Sequence, residues 1–432
     1  MLKLMVISHT FQKEDYYHRW ELLSQMHDDI DVTLLAPAQW NWGVEKNLTF
    51  GNAQQIQGKL IEKERFRIHL IQTSNQQLGD WTSKDMEKEI LDIKPDIVYL
   101  LSVHTQLALC QLLHLRKKHH LKHMKVICFS MRGTKFSFKY RGNRGSLKKN
   151  IRALGGVMYG RAKLWYFNHN CDAVFCHYPV AASEFRREGF KKPIYMQTQV
   201  GYDPDLFHPD MEARRRIREK YNIGDAFLFG SASRFNYSKG LSEIIQALPQ
   251  EGNWKYLMMG WGRDDEVEKI KKEIAERGFT DRIILTGFIN NLKDMAEHWN
   301  ALDCAVHAPL TVPEWEETFS LALVQAMGTG LPVIGSDSGS VPYQIGPDGI
   351  IVAEGNIEEM RENMILLMNN PRECKKYGRR MYERAISSFN IYHLDELFYL
   401  TIKDILQDVH DPKKEDMAGY MTKENKVYVP LD

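Results

Sequence analysis

No stretch of this 432-residue chain approaches the roughly 18 consecutive apolar residues that a membrane-spanning helix needs. The apolar opening, Met1 to Ser8, turns polar at His9 and is too short for a signal peptide, so a first buried strand is expected there. Cysteine is scarce. The six (positions 110, 128, 171, 176, 304 and 374) are scattered through apolar text. Cys171 and Cys176 lie near each other but lack the further ligands a metal site would need, so reduced thiols of a cytoplasmic protein are expected. The first strand lacks the Gly-x-Gly-x-x-Gly turn of a dinucleotide site; Ser8-His9-Thr10-Phe11 stands in its place, which argues against a dehydrogenase. Acidic residues are missing altogether between Asp96 and Asp172, where 15 Lys or Arg occur. Net charge is only +1, yet residues 1–205 hold 30 basic against 20 acidic residues and the remainder 27 against 36. The acid-free stretch predicts a positive face. No nucleic-acid module accompanies it and the second half is acidic, so an anionic membrane surface or an anionic acceptor is the expected partner.

What is present is globular: 43% hydrophobic and 11% aromatic residues, on a chain long enough for two domains. Short apolar runs alternate with helical text, predicting α/β units with parallel sheets covered on both faces. In the first half the runs are Leu4–Ser8, Val32–Ala36, Ile68–Gln72, Ile97–Leu101, Val126–Phe129, Ala173–Cys176 and Ile194–Met196. The second half has Phe227–Ser231, Tyr256–Met259, Ile283–Leu285, Cys304–Val306, Pro332–Ile334 and Ile350–Val352. Between the halves, Gly201 to Asp210 is rich in Pro and Asp, and its Asp203-Pro-Asp205 reads as a turn, not a metal-binding pair. Leu394, Leu397, Phe398, Ile402 and Ile405 mark one apolar face of a late helix, and residues 411–432 form a polar tail. In the acid-free stretch, Ser146 to Leu154 is helix-like, with Leu147, Ile151 and Leu154 on one side and Lys148, Lys149 and Arg152 around them. A core-packed helix and a surface-docking one are both consistent with that pattern.

Two segments carry chemistry. The first, Phe227-Leu-Phe-Gly-Ser-Ala-Ser-Arg234-Phe-Asn-Tyr-Ser-Lys239-Gly240, runs a buried strand into a loop that presents two cations five residues apart before a helix. Cations at a strand's carboxyl end beside a helix start suit a diphosphate. The second opens at Glu317-Thr318-Phe319-Ser320-Leu321 and continues through Gln325 and Ala-Met-Gly-Thr-Gly to Leu-Pro-Val-Ile. Unpaired N–H groups at its helix start can hold a phosphate, and a carboxylate just before that helix can accept hydroxyl hydrogen bonds. Between them, Leu257-Met-Met-Gly260-Trp-Gly262 and Ile283-Ile-Leu-Thr-Gly287-Phe288 are strand-then-Gly turns. Structural alternatives are an ion pair for Arg234, a solvated helix start for Lys239, and an ordinary loop–helix–strand unit around Glu317.

In this order and spacing the set resembles the retaining glycosyltransferases of family 4 (glycosyl transferases group 1), closely over residues 225–353 and loosely elsewhere. The resemblance implies a GT-B fold: two Rossmann-like domains facing a central cleft, with a C-terminal helix crossing back to the first. It implies an N-terminal acceptor-side domain (1–203, plus a helix near 391–410) and a C-terminal nucleotide-sugar domain (204–390). It also implies transfer from a nucleotide sugar, UDP- or GDP-linked, to a glycan or lipid-linked glycan, with retention and without metal or cofactor. By resemblance Arg234 and Lys239 face the diphosphate and Glu317 the reacting sugar. Gly287, Phe288, Thr318, Phe319, Ser320, Leu321 and Gln325 line the donor, the amides of Phe319, Ser320 and Leu321 meeting its hydroxyls and phosphate. The implied place is cytoplasmic, peripheral on the inner membrane face.

The chain also departs from the pattern. The family's second Glu, which grips the ribose, is Gln325 here, and Val341-Pro342-Tyr343 replaces the usual Pro-Glu. The His expected after the fifth strand is replaced by Ser130-Met131-Arg132-Gly133, leaving His9, His104 and Arg132 as candidates on the acceptor or sugar side. A relative that binds donor without transferring it, and an epimerase of the same fold, therefore stay open.

Overall fold

The structure, a computed structural model, describes residues 1–11, 14–39, 61–77, 80–101, 107–130, 147–313 and 315–409. It divides into two units, one of Met1–Gln197 with the described residues from Asp395 on, the other of Thr198–Leu394.

In the first unit the strands are β1 (Leu2–Ile7), β2 (Ile30–Pro37), β3 (Ile61–Glu62), β4 (Phe66–Ile71), β5 (Ser74–Gln77), β6 (Asp80–Thr82), β7 (Ile97–Leu101), β8 (Lys125–Ser130), β9 (Ala173–Cys176) and β10 (Ile194–Met196). Eight form one sheet in the order β10-β9-β8-β7-β1-β2-β4-β3. All its pairings are parallel except β3 with β4. The core joins Leu4, Val6, Val32, Leu34, Tyr99 and Phe175 to Phe398, Tyr399, Ile402 and Ile405, which all lie on the last helix, Ile391–Leu406. Phe398, Ile402 and Ile405 of the apolar face expected on that helix are therefore buried in the first unit. Trp20 meets Phe398 edge to face (5.5 Å between ring centres), and the Arg19 guanidinium binds the fully buried Asp395 carboxylate.

Six parallel strands form the second unit's sheet: β11 (Phe227–Phe235), β12 (Trp254–Gly262), β13 (Ile283–Gly287), β14 (Cys304–His307), β15 (Val333–Ser336) and β16 (Ile350–Val352). Their order is β13-β12-β11-β14-β15-β16. Side chains alternate between two cores, Leu228, Leu257 and Val333 on one face and Phe229, Tyr256 and Ile334 on the other. Burial on both faces is why these strands read as unbroken apolar runs. The order in which strands are added to the sheet reverses between β11 and β14, and ligands of open α/β sheets gather outside the strand carboxyl ends at such a switch. Helix starts are fixed by side chains: Asp210 accepts from the Glu212 and Ala213 N–H groups, and Asn291 from that of Asp294. Asp203 Oδ1 accepts from the Asp205 N–H (2.9 Å), the turn expected at that position.

Arg116 pairs with Asp172, Lys118 with Glu87 (2.6 Å) and Lys125 with Asp408 (2.6 Å), so folding brings acids from outside the acid-free stretch onto its cations. The helix expected from Ser146 runs Leu147–Asn170. Ser146 and the side chains of Leu147, Lys148, Lys149, Ile151 and Arg152 lie outside the described residues. Leu154, Met158 and Trp165 on this helix are 49%, 64% and 61% exposed, so the described part of its stripe faces solvent instead of a core.

Candidate functional site

The strand β11 runs past its apolar stretch to Arg234 and Phe235, pairing Arg234 with Trp261 on β12. Asn236 then opens a single tight turn, Tyr237–Lys239, that ends at Gly240. At Gly240 φ is +63°, and a Cβ would stand 1.9 Å from the Ala308 carbonyl oxygen, so only glycine lets this loop press against the one that follows β14. The Leu310 N–H donates to the Ser238 carbonyl (2.9 Å), sealing the same contact. Two loops distant in sequence are thereby locked together at the switch point.

Their side chains converge. Lys239 Nζ donates to Glu317 Oε2 at 2.6 Å and lies 4.2 Å above the Trp315 ring. His307, the last residue of β14, places Nε2 3.5 Å from the same Glu317 oxygen. The Glu317 backbone is held from behind: its carbonyl accepts the Ser340 N–H (2.7 Å), and a Cβ on Gly339 (φ +51°) would stand 2.1 Å from that carbonyl oxygen. Glu317 is 6% exposed. Burial pushes its carboxyl up, but the neighbouring His307 and the charge and hydrogen bond of Lys239 outweigh that and hold it at about 2. A depressed carboxyl contributes stability that is present above its ordinary value of 4.5 and lost as pH falls towards 2. The difference in urea midpoint between wild type and Glu317→Gln is thus expected to be constant from neutral pH down to the ordinary carboxyl range and to shrink below it. Shrinkage beginning near neutral pH would place the carboxyl pKa higher than this geometry gives.

The helix Leu321–Gly328 starts at Ser320, whose Oγ accepts the Leu323 N–H (3.2 Å). One expectation for this helix start is corrected. The Ser320 N–H donates to Gln344 Oε1 (2.9 Å) and Gln344 Nε2 donates back to the Ser320 carbonyl (2.9 Å), because a fully buried amide needs both partners. That amide is therefore committed within the protein. Phe319 packs edge-on against Phe389 (5.9 Å), Thr318 is half-buried, Leu321 lies at the surface, and Gln325 is buried one helical turn after Leu321. Gly287 (φ +72°) ends β13, two strands from β11, and Phe288 follows it, meeting edge-on at 6.3 Å the ring of Trp261, which is in register with Arg234. His9 is half-buried just beyond β1 in the first unit. His104 and Arg132 lie outside the described residues. Among those described, no group of three His, Cys, Asp or Glu could hold a metal ion.

His307, Trp315 and Gln344 were not singled out from the sequence. His307 carried one signal, its position at the carboxyl end of an apolar run beside the switch; the other two carried none.

Residues 213–384 match the family model described as glycosyl transferases group 1. The second unit carries a glycosyl transferases group 1 domain. MMP alpha-(1->4)-mannosyltransferase of Mycolicibacterium hassiacum is 26% identical over 198 residues, 44% of this chain and 44% of that protein. GDP-mannose-dependent alpha-(1-6)-phosphatidylinositol monomannoside mannosyltransferase of Mycolicibacterium smegmatis is 26% identical over 189 residues, 41% of this chain and 48% of that one. The chain thus spans about half the length of the curated relatives it matches. Solved structures cover both units: sucrose-phosphate synthase from Thermosynechococcus elongatus superposes with a TM-score of 0.67 at 15% identity, over 94% of this chain and 100% of that one. Anabaena Alr3699/HepE in complex with UDP gives 0.63 at 15% identity, over 94% and 100%. The fold is accordingly GT-B, with the group 1 domain supplying the cluster of Lys239, His307 and Glu317.

Proposed function

We propose that this protein is a retaining glycosyltransferase that moves a sugar from a nucleoside-diphosphate donor to a glycan or lipid-linked glycan acceptor. The observation that carries this reading is the pairing of Lys239 with a buried, ionised Glu317 at the switch between β11 and β14. In the proposed reaction the bond from the anomeric carbon to the phosphate oxygen breaks and its electrons stay on the diphosphate. The acceptor hydroxyl attacks from the same face, and its proton passes to the departing phosphate oxygen, so no separate protein base is required. Lys239 and Arg234 meet the charge that grows on the diphosphate, which the reading assigns to protein cations in place of a metal. Glu317 accepts hydroxyls of the donor sugar beside the reacting carbon. The names of the two mannosyltransferase relatives support testing GDP-mannose first, and the UDP complex of the Anabaena structure supports UDP-sugars second.

Incubation with radiolabelled nucleotide sugars and a panel of glycan and glycolipid acceptors tests the reading. Label in an acceptor with its anomeric configuration kept is the expected result. Binding without transfer would mark a donor-binding relative, and release of an altered sugar an epimerase. Within the same assay Glu317→Gln should lose far more activity than Gln325→Glu, because only Glu317 touches the reacting sugar. Weaker nucleotide binding by Gln325→Glu would argue against placing that residue at the ribose.

For the partners, the proposal is a cytoplasmic enzyme that rests on an anionic leaflet through the helix Leu147–Asn170. Leu154, Met158, Tyr159 and Trp165 are exposed there, Arg161 stands among them, and Lys163 lies over the Tyr159 ring at 4.9 Å. Among the described residues no helix is long and apolar enough to cross a membrane. Each cation near such a leaflet contributes about 1 kcal/mol, and exposed Trp and Leu add apolar burial. Flotation at low salt should recover the protein with anionic vesicles and not with neutral ones, and Met158→Glu with Trp165→Glu should abolish recovery. Equal recovery on both vesicle types, or on neither, removes the membrane part.

A further inference from the structure

Glu317 has two cationic or donor neighbours, Lys239 in close contact and His307 at the edge of reach. Lys239 Nζ holds Glu317 Oε2 at 2.6 Å, and both side chains are buried, at 12% and 8% exposure. Resting on the donor reading above, the same ammonium has to turn at least one N–H towards a diphosphate that carries more charge than a carboxylate. As it turns, Glu317 loses its closest cation. A buried carboxylate without a partner is strongly disfavoured and would take up a proton or leave its position. His307 Nε2 stands 3.5 Å from the oxygen that Lys239 would release, and among the described residues this buried nitrogen has no shorter contact to an acceptor. A buried ring nitrogen whose contact to its partner is this long is uncommon and calls for an explanation. At 3.5 Å the contact is too long for a good hydrogen bond, yet a shift of about half an ångström would close it. The ring is carried by a paired strand end, with His307 in register with Gly335 on β15, so it can wait in place while Lys239 moves.

We propose that His307 is a positioning residue that takes over Glu317 when Lys239 turns to the donor's diphosphate. In this scheme the ligand-free enzyme keeps Lys239 on Glu317, and the donor-bound enzyme keeps His307 on it. Glu317 stays ionised and fixed in both, and Lys239 is returned to it when the nucleoside diphosphate leaves. His307 then matters most when the diphosphate is bound, and only while a carboxylate stands at position 317.

The test uses the full-length protein with GDP and UDP as probes, measured by calorimetry, together with kcat and KM for the sugar donor that the enzyme accepts. His307→Phe keeps a ring but has no donor, and His307→Leu replaces it if phenylalanine overpacks. Either should weaken diphosphate binding about tenfold, the size of one hydrogen bond to a charged group. The donor KM should rise in parallel. His307→Gln, which restores an N–H, should recover most of the loss. In a Glu317→Gln background, His307→Phe should have no further effect on diphosphate binding, an outcome that a merely structural histidine would not give. Equal behaviour of the Phe and Gln variants, or an undiminished loss in the Glu317→Gln background, overturns the inference. Lys239→Ala separates the two levels. Weaker diphosphate binding in Lys239→Ala beside an unaffected His307→Phe rejects only the role of His307, whereas unaffected binding in Lys239→Ala rejects the donor reading itself.

Discussion

Alanine at Lys239 or at Arg234 is expected to lower turnover at least about a hundredfold, which corresponds to ~3 kcal/mol of lost transition-state stabilisation. Both residues lie at the carboxyl end of β11, on the side of the sheet where ligands of this topology bind. The departing diphosphate is more charged in the transition state than in the bound donor, so a cation aimed at it acts on the rate more than on donor affinity. The two variants should also differ from each other. Lys239→Ala removes the cation nearest Glu317, so its carboxyl should become easier to protonate, whereas Arg234→Ala should leave that carboxyl unchanged. Steady-state kinetics, with far-UV circular dichroism as a check on folding, gives the answer. Activity near wild type in either variant would withdraw the diphosphate role from that residue.

The largest effect on stability is expected in the first unit. Asp395 is fully buried in the first unit and bound by Arg19, which itself lies over the Trp20 and Phe398 rings at 5.1 and 5.8 Å. Burial pushes the Asp395 carboxyl up to about 6 although Arg19 pulls it down, as expected of a charge the core tolerates only beside its partner. Asp395→Ala leaves the guanidinium without its counter-charge, and breaking a buried pair from one side costs about 3–5 kcal/mol. A fall of that size in the urea-unfolding free energy of the first unit is the expected outcome. The double variant Arg19→Met with Asp395→Leu removes both charges together and should recover most of it. If Asp395→Ala proved neutral, the pair would have no part in holding the last helix.

The contrast between these two sites shows how much could be read from residues alone. Each apolar run named from the sequence is a strand in the sheets, because a strand buried on both faces announces itself without reference to its neighbours. The polar ends of such strands do not. The run expected to stop at Ser231 continues to Phe235, and the extension carries Arg234. Short elements with little apolar content, β3, β5 and β6, were equally silent. Lys239 and Glu317 were legible from spacing, but their contact is not a local property; it depends on Gly240 and Gly339 admitting backbone at distances no side chain would permit. Trp315 and Gln344 act only through that closeness and had no pattern of their own, and His307 had only its place at the end of an apolar run. For the same reason nothing in the sequence signalled that Asp172, Glu87 and Asp408 reach Arg116, Lys118 and Lys125, since those pairs form through folding and not through sequence proximity.

The place of Phe398, Ile402 and Ile405 in the first unit's core also bears on how the protein is made. Synthesis is vectorial, and domains tend to fold as they leave the ribosome, the amino-terminal one first. Here that order is inverted. The nascent first unit lacks the helix that covers Tyr99 and Trp20 until translation has passed Leu406, while the second unit, from Thr198 to Leu394, has its core before that. Of these two units, the one translated first is therefore the last to close. Its open apolar surface in the interval is where chaperone capture, and damage from premature termination, would concentrate.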